Sequence, residues 1–205
     1  ASYLNDVLGL ALDAEDVARL EGRTEGWIAA LQLAALSLEA IDDRAGFIAG
    51  FAGDDRFILD YLVDEVLDHQ APDQRAFLLM TSVLNRLTGA LCDAVTERAD
   101  GRATLEALDR SNLFVVPLDD RRTWYRYHHL FADVLRARLL DEDLDLVPVL
   151  HRRAAAWFEA AGERDEAIAH ALAAGDAAEA ARMIELAAPA MRMARQEQQL
   201  RRWLE

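Results

Sequence analysis

A mainly α-helical protein interrupted by a single β-hairpin is what this sequence predicts, and three observations carry that prediction. Apolar residues recur at helical spacing over most of the chain, most clearly as Trp27, Ile28, Leu31, Ala34, Ala35 and Leu38. One stretch breaks that period: residues 113–118 are apolar and rich in Val, the turn Asp119-Asp120-Arg121-Arg122 follows, and Thr123-Trp124-Tyr125-Arg126-Tyr127 is aromatic. Valine and aromatic residues on both arms of a charged turn favour paired strands. The third observation is an echo near the end of the chain. Ala161-Gly162 with Glu166-Ala167 returns as Ala174-Gly175 with Glu179-Ala180, a spacing of 13 residues. Three short helices, a hairpin and a closing helix describe a winged helix. Helical hairpins that repeat and pack through small residues describe the start of a solenoid.

The elements follow in order. Asp13 is a suitable N-cap for a helix carrying Val17 and Leu20, with Gly22 ending it. Thr24 or Gly26 opens the apolar helix of residues 27–38, and Gly46, Gly50 and Gly53 mark a break. A helix from Asp55 or Arg56 to about His69 is apolar on most sides through Phe57, Ile58, Leu62 and Val66, as expected at the centre of a domain. Pro72 suits the first turn of the next helix, which turns Phe77, Leu78 and Leu79 inward. Thr88 caps a short helix through Val95, and Asp100 or Arg102 begins a third with Leu105 and Leu108 one turn apart. The hairpin then runs into a helix from about His129 to Leu140, and Asp141-Glu142-Asp143 reads as an acidic linker. Beyond it, Gly162 and Gly175 each end a helix and Asp165 or Asp176 starts the next. These signals divide the chain into residues 1–53, a winged helix over 54–140, and the start of a repeat array over 141–205.

Composition narrows the functions open to such a chain. Its 205 residues are 53% apolar, enough for a substantial core. Every one of the 22 basic side chains counted as Lys or Arg is arginine. Without lysine there is no P-loop lysine, Schiff-base lysine or lysine general base in this stretch. A net charge of −15 opposes sequence-independent binding of nucleic acid, which needs a clustered positive face. The winged helix is therefore expected to be a packing module rather than a reader of DNA. The one cysteine, Cys92, lies among Ala90, Leu91, Ala94 and Val95, so it reads as a buried helix residue in a reducing compartment. No signal-peptide pattern opens the chain, and residues 27–38 are too short to cross a bilayer. A cytoplasmic location is expected. The chain stops at Trp203-Leu204-Glu205 without a polar cap or turn, which reads as a cut through a longer array.

Four motifs in fixed order carry a resemblance. They are residues 24–34 (Thr24-Glu25-Gly26-Trp27-Ile28-Ala29-Ala30-Leu31-Gln32-Leu33-Ala34), Phe57-Ile58-Leu59-Asp60-Tyr61-Leu62, Asn112-Leu113-Phe114 with Pro117-Leu118-Asp119, and Tyr125-Arg126-Tyr127-His128-His129-Leu130-Phe131. Together they resemble the MalT-like group of large ATP-binding LuxR-type transcriptional regulators, which are STAND-type signal-transduction ATPases. The resemblance implies, in order, a P-loop nucleotide-binding domain, a helical lid, a winged helix, a TPR-like helical-repeat sensor and a C-terminal DNA-binding helix-turn-helix. This chain resembles the lid (1–53), the winged helix (54–140) and the start of the sensor (141–205). No G-x-x-x-x-G-K-[ST] occurs in it. The expectation is thus a non-enzymatic segment of a slow regulatory ATPase. ATP or ADP with Mg would bind the intact parent and would not bind tightly to this segment alone. The implied partners are the upstream P-loop domain, a small-molecule or protein inducer at the repeats, DNA through a domain outside this chain, and further copies on activation; no membrane is implied. A protein-kinase regulator with the same central region, and a helical scaffold that binds no nucleotide, are the alternatives.

The resemblance also assigns site residues. In related switch ATPases a winged-helix histidine in a Met-His-Asp-like motif reaches the phosphates of bound ADP. Tyr127-His128-His129-Leu130 is similar, with His129 in place of the acidic residue, so His128 is the residue carried over. An imidazole N–H can donate to a phosphate oxygen, and protonation strengthens that bond. The competing expectation is that His128 only caps the helix. Thr24, Glu25 and Gly26 fall where related proteins set a lid turn against adenine and ribose, and a helix N-terminus with a close-approach glycine suits that place. Trp27 is expected in the core. His128, His129 and Asp133 lack the third and fourth partners of a structural metal site, so no metal is expected. Nothing near Cys92 would lower its pKa, so it is not expected to be a nucleophile. Arg121, Arg122, Arg126, Arg136 and Arg138 concentrate positive charge, but Asp119, Asp120 and Asp133 dilute it, which favours a solvated or ion-paired surface. Arg152 and Arg153 are expected at the surface.

Overall fold

The computed structural model describes residues 14–24, 67, 70–110 and 115–193. Among these residues are eight α-helices and one two-stranded hairpin. The chain divides into two compact units: residues 1–76 with 127–137, and residues 77–126 with 138–205.

In the first unit, α1 (Ala14–Thr24) runs through Gly22 rather than stopping there. A single helical glycine costs only about 1 kcal/mol relative to alanine. An exposed Arg19–Glu15 pair at 2.6 Å spans the preceding turn. Val17 is buried. The helices expected over 27–38 and 55–69, and the glycine break between them, lie outside the described residues apart from buried Leu67. This unit also holds residues 127–137, the greater part of α5 (His129–Glu142), which buries Leu130, Phe131, Val134 and Leu135.

The second unit begins within α2 (Pro72–Thr81), whose first residue is the proline and whose Phe77, Leu78 and Leu79 are buried. Buried hydroxyls there bond backward along the helix, Thr81 Oγ1 to the Phe77 carbonyl at 2.7 Å. Thr88 caps α3 (Gly89–Thr96), its hydroxyl accepting from the Leu91 N–H at 3.2 Å. Asp93 on α3 accepts from the Gly101 N–H at 2.7 Å and so fixes the start of α4 (Gly101–Arg110). Leu91, Cys92, Val95, Leu105 and Leu108 form the core between these two helices. Burial pushes the Cys92 thiol far up, as expected of an inert core residue.

Strand β1 (Val115–Pro117) pairs with β2 (Tyr125–Tyr127), both shorter than the apolar runs that predict them. Asp119 holds the turn: its carboxylate accepts from the Thr123 N–H at 3.0 Å and the Trp124 N–H at 2.9 Å. Those amides hold the carboxyl below the usual range. Helix α5 then continues through Asp141 and Glu142, so two residues of the expected acidic linker are helical. An Arg138–Glu142 pair at 2.7 Å, one turn apart, extends the helix, and the break falls at residues 143–145.

Three further helices follow among the described residues: α6 (Leu146–Ala160), α7 (Arg164–Ala173) and α8 (Ala177–Met193). Each packs on the next, and α3 packs on α6. Small side chains allow this close approach: Ala154, Ala155, Ala167, Ala171, Ala180 and Ala187 are all buried, as are Phe158 and Ile168. Gly162 and Gly175 take positive φ, +79° and +72°, and each closes a helix. Asp165 is not the cap of α7. It lies in the first turn, and Glu163 occupies the cap position.

Candidate functional site

The wing is organised around Tyr125. Leu87, just before α3, forms an antiparallel bridge with it through two backbone bonds, Leu87 N–H to Tyr125 O at 2.7 Å and Tyr125 N–H to Leu87 O at 2.9 Å. On the hairpin side, the Leu118 N–H donates to Trp124 O at 2.8 Å. The bridge sets Arg86 diagonally across from Trp124, on the face opposite Leu87 and Tyr125.

Arg86 is where several elements meet. Its guanidinium lies over the Trp124 ring, 4.4 Å from the centroid, and 5.7 Å from the centroid of Phe158 on α6. The same group forms an ion pair and hydrogen bond with Glu163, ahead of α7. Both side chains are about two-thirds buried. A planar guanidinium suits this position because its faces stack on rings while its edge meets a carboxylate. An open cleft of about 420 Å³ lies beside the pair, lined by Arg86, Gly162, Glu163, Arg164, Asp165 and Glu166.

A second fastening joins α3 to α6. Arg153 donates to the Val95 carbonyl at 2.9 Å and pairs with Glu97 at 2.5 Å. Glu97 is the left-handed C-cap of α3, at φ 57°. A cation at a helix C-terminus meets unsatisfied carbonyls and the negative end of the dipole. The expectation of Arg153 at the surface is corrected by this contact, whereas Arg152 is exposed as expected. Deeper in the repeats, His151 and His170 share a hydrogen bond, Nδ1 to Nδ1, at 2.8 Å. His170 stacks on Phe158 with centroids 5.4 Å apart. Burial first, and then nearby His151, lower the His170 pKa to about 4.

His128 sits between β2 and α5 and is buried, 5% exposed. Its carbonyl accepts from the Ala132 N–H at 2.9 Å, the first hydrogen bond of α5, and its ring stacks on His129 with centroids 4.7 Å apart. Tyr127, one residue earlier, meets Phe131 edge-on at 5.9 Å. Of the lid residues, Thr24 is the last residue of α1, while Glu25 and Gly26 lie outside the described residues. Asp133 is exposed and pairs with Arg136 at 3.3 Å. Among the described residues no group of three or more His, Cys, Asp or Glu side chains is placed to hold a metal ion. Arg122 at the wing tip pairs with Asp109 at 2.7 Å, so that part of the basic cluster is ion-paired. Among the described residues no helix is long and apolar enough to cross a membrane.

Sequence reasoning missed Arg86, Phe158, Glu163 and the contact made by Arg153. Arg86 and Glu163 are 77 positions apart and Arg153 and Val95 are 58 apart, and neither arginine belongs to a periodic pattern. The repeat of Gly162 at Gly175 was the one available signal, because it places Glu163 and Asp176 in equivalent positions.

Comparison with known proteins places this architecture. The family model for the MalT winged helix domain matches residues 63–147. Serine/threonine-protein kinase PknK of Mycobacterium tuberculosis is 43% identical over 185 residues, covering 90% of this chain and 17% of the kinase. The HTH-type transcriptional regulator MalT of Klebsiella pneumoniae subsp. pneumoniae is 44% identical over 168 residues, 81% of this chain and 19% of that protein. MalT of Serratia proteamaculans is 43% identical over 169 residues, 80% of this chain and 18% of that protein. The chain thus spans less than a fifth of the length of these relatives. With a mainly helical architecture, one hairpin and a winged helix matched by the MalT winged helix domain model, the chain is a MalT-like fragment.

Proposed function

We propose that this chain is the central regulatory segment of an ATP-dependent, MalT-like LuxR-type transcriptional regulator. It couples nucleotide state and inducer sensing to oligomerisation, and to DNA binding by a helix-turn-helix outside the chain. The observation that carries this reading is the MalT winged helix over residues 63–147, set within MalT relatives that align over about four-fifths of the chain. Residues 1–53 serve as a lid on the nucleotide, 54–140 as the winged helix and 141–205 as the start of a TPR-like sensor. In the resting state His128 donates to a phosphate of ADP held by the upstream P-loop domain, and Thr24, Glu25 and Gly26 face the adenine and ribose. Because His128 is buried, a phosphate meets the ring only in an arrangement that uncovers it. Inducer at the repeats favours the open arrangement, ADP exchanges for Mg-ATP and the protein self-associates in the cytoplasm. Such a switch needs a ligand with different affinities for the two arrangements.

A second reading rests on a specific observation: PknK aligns over 90% of the chain, more than MalT does. On that reading the same segment regulates a kinase domain upstream. The parent would then phosphorylate itself with Mg-ATP, whereas a transcriptional regulator would not. A helical scaffold without nucleotide is the third possibility.

The deciding experiment denatures the purified intact parent and measures released ADP, comparing wild type with His128→Ala. Stoichiometric ADP in the wild type and its loss in the variant support the clamp. Equal ADP in both removes His128 from the site, and no nucleotide in either favours the scaffold.

A further inference from the structure

We propose that Arg86 is the latch that holds the first repeat hairpin against the wing, and that its release is the step that frees the repeats during switching. The proposal deepens the regulatory reading above and rests on it for the meaning of release. Two observations carry it. The first is the seat of the guanidinium, between the Trp124 and Phe158 rings with its edge on Glu163. These contacts reach the wing, α6 and the start of α7 from a single side chain.

The second observation is what Glu163 does not do. At Gly175 the following residue, Asp176, caps its own helix, with Oδ1 accepting from the Glu179 N–H at 3.0 Å. Glu163 follows Gly162 in the same way and makes no side-chain cap to α7. Its carboxylate is committed to Arg86 instead. At one of two equivalent turns, then, the carboxylate after the glycine serves a contact between elements rather than its own helix.

The wing can operate the latch because Trp124 is adjacent to Tyr125, which is tied to Leu87 by two backbone bonds, and Leu87 is adjacent to Arg86. Trp124 also directly precedes β2 and lies four residues before His128, which directly follows it. A tilt of this strand moves the indole relative to the guanidinium. The stack is lost first, and the Glu163 pair becomes more exposed to water and weaker.

The test uses the intact parent protein with Arg86→Gln, Glu163→Gln and Trp124→Leu, plus Arg86→Lys, which keeps the charge without the planar stack. Hydrogen exchange is followed in α7 and, as an internal reference, in α8, whose cap is its own Asp176. The expected result is exchange about tenfold faster in α7 and unchanged in α8 for Arg86→Gln and Glu163→Gln. Smaller increases are expected for Trp124→Leu and Arg86→Lys. With Mg-ATP as the only added ligand, sedimentation should show the self-associated fraction of Arg86→Gln raised about tenfold over wild type. Equal acceleration of α7 and α8, or of neither, overturns the latch. Faster exchange in α7 with unchanged self-association overturns its role in switching. If the wild-type parent holds no nucleotide the regulatory reading fails by itself, while the contrast between α7 and α8 still decides the latch.

Discussion

The two turns of the repeat region, at residues 161–163 and 174–176, share a backbone and differ in one side chain's use. In the first, the Gly162 N–H donates to Glu159 O at 3.0 Å and the Glu163 N–H to Phe158 O at 2.9 Å. In the second, the Gly175 N–H donates to Leu172 O at 2.9 Å and the Asp176 N–H to Ala171 O at 3.0 Å. Both are Schellman closures with glycine at positive φ. Yet Asp176 turns its carboxylate to its own helix, while Glu163, longer by one methylene, reaches across to Arg86. The backbone thus specifies a repeat, and the side chain after the glycine decides whether a turn is closed on itself or tied to the winged helix.

The largest expected effect lies in α7, between the two turns. His170 has a folded-state pKa near 4 against about 6.5 when exposed, because burial disfavours the imidazolium. Its stabilisation is fully present above about pH 6.5 and is lost as the pH falls through that value towards 4. Between pH 7 and pH 5 the loss should be on the order of 2 kcal/mol. Denaturant titration at a series of pH values measures it, and His170→Gln, neutral throughout, should flatten the slope in that window. An unchanged slope would remove His170 as its cause.

The equivalence of the backbones is tested next. Gly162→Ala and Gly175→Ala should each cost about 1–2 kcal/mol, since a Cβ at positive φ is strained even where no atom lies within 4 Å. Thermal denaturation should give the two losses within about 0.5 kcal/mol of each other. A large inequality would mean that the turns differ in more than the cap.

Cap substitutions should separate the turns. Asp176→Ala should cost about 1 kcal/mol with little dependence on salt, as for a local cap. Glu163→Gln should cost a similar amount or less, and its cost should shrink in 1 M salt, where a partly exposed ion pair is screened. Identical salt responses would erase the distinction. Smallest is Trp124→Leu, which removes a cation–π contact and should cost about 0.5–1 kcal/mol beyond the lost apolar area, read by comparing it in the presence and absence of Arg86→Gln.

Much of the fold was legible because its signals are local. Pro72, Thr88, the turn at Asp119 and the glycines at 162 and 175 each act through bonds within a few residues, and the helices start and stop accordingly. The short misreadings were also local. Gly22 is a weak terminator next to favourable helix contacts, and Asp141 and Glu142 remain helical where Arg138 supports them. His128 was readable as the residue between strand and helix, since strand preference ends at Tyr127 and helical spacing begins at His129. Arg86 was not readable. Its role depends on Trp124, Phe158 and Glu163 being brought together by a fold that pairs distant stretches, and an isolated arginine gives no periodic sign of that.

A double-mutant cycle tests the central comparison most directly: Arg86→Met and Glu163→Gln, singly and together, beside the same cycle with Arg86→Met and Asp176→Asn. A coupling of about 1 kcal/mol or more is expected for Arg86 with Glu163 and none resolvable for Arg86 with Asp176. Coupling below about 0.3 kcal/mol in the first cycle, or equal coupling in both, would contradict that expectation.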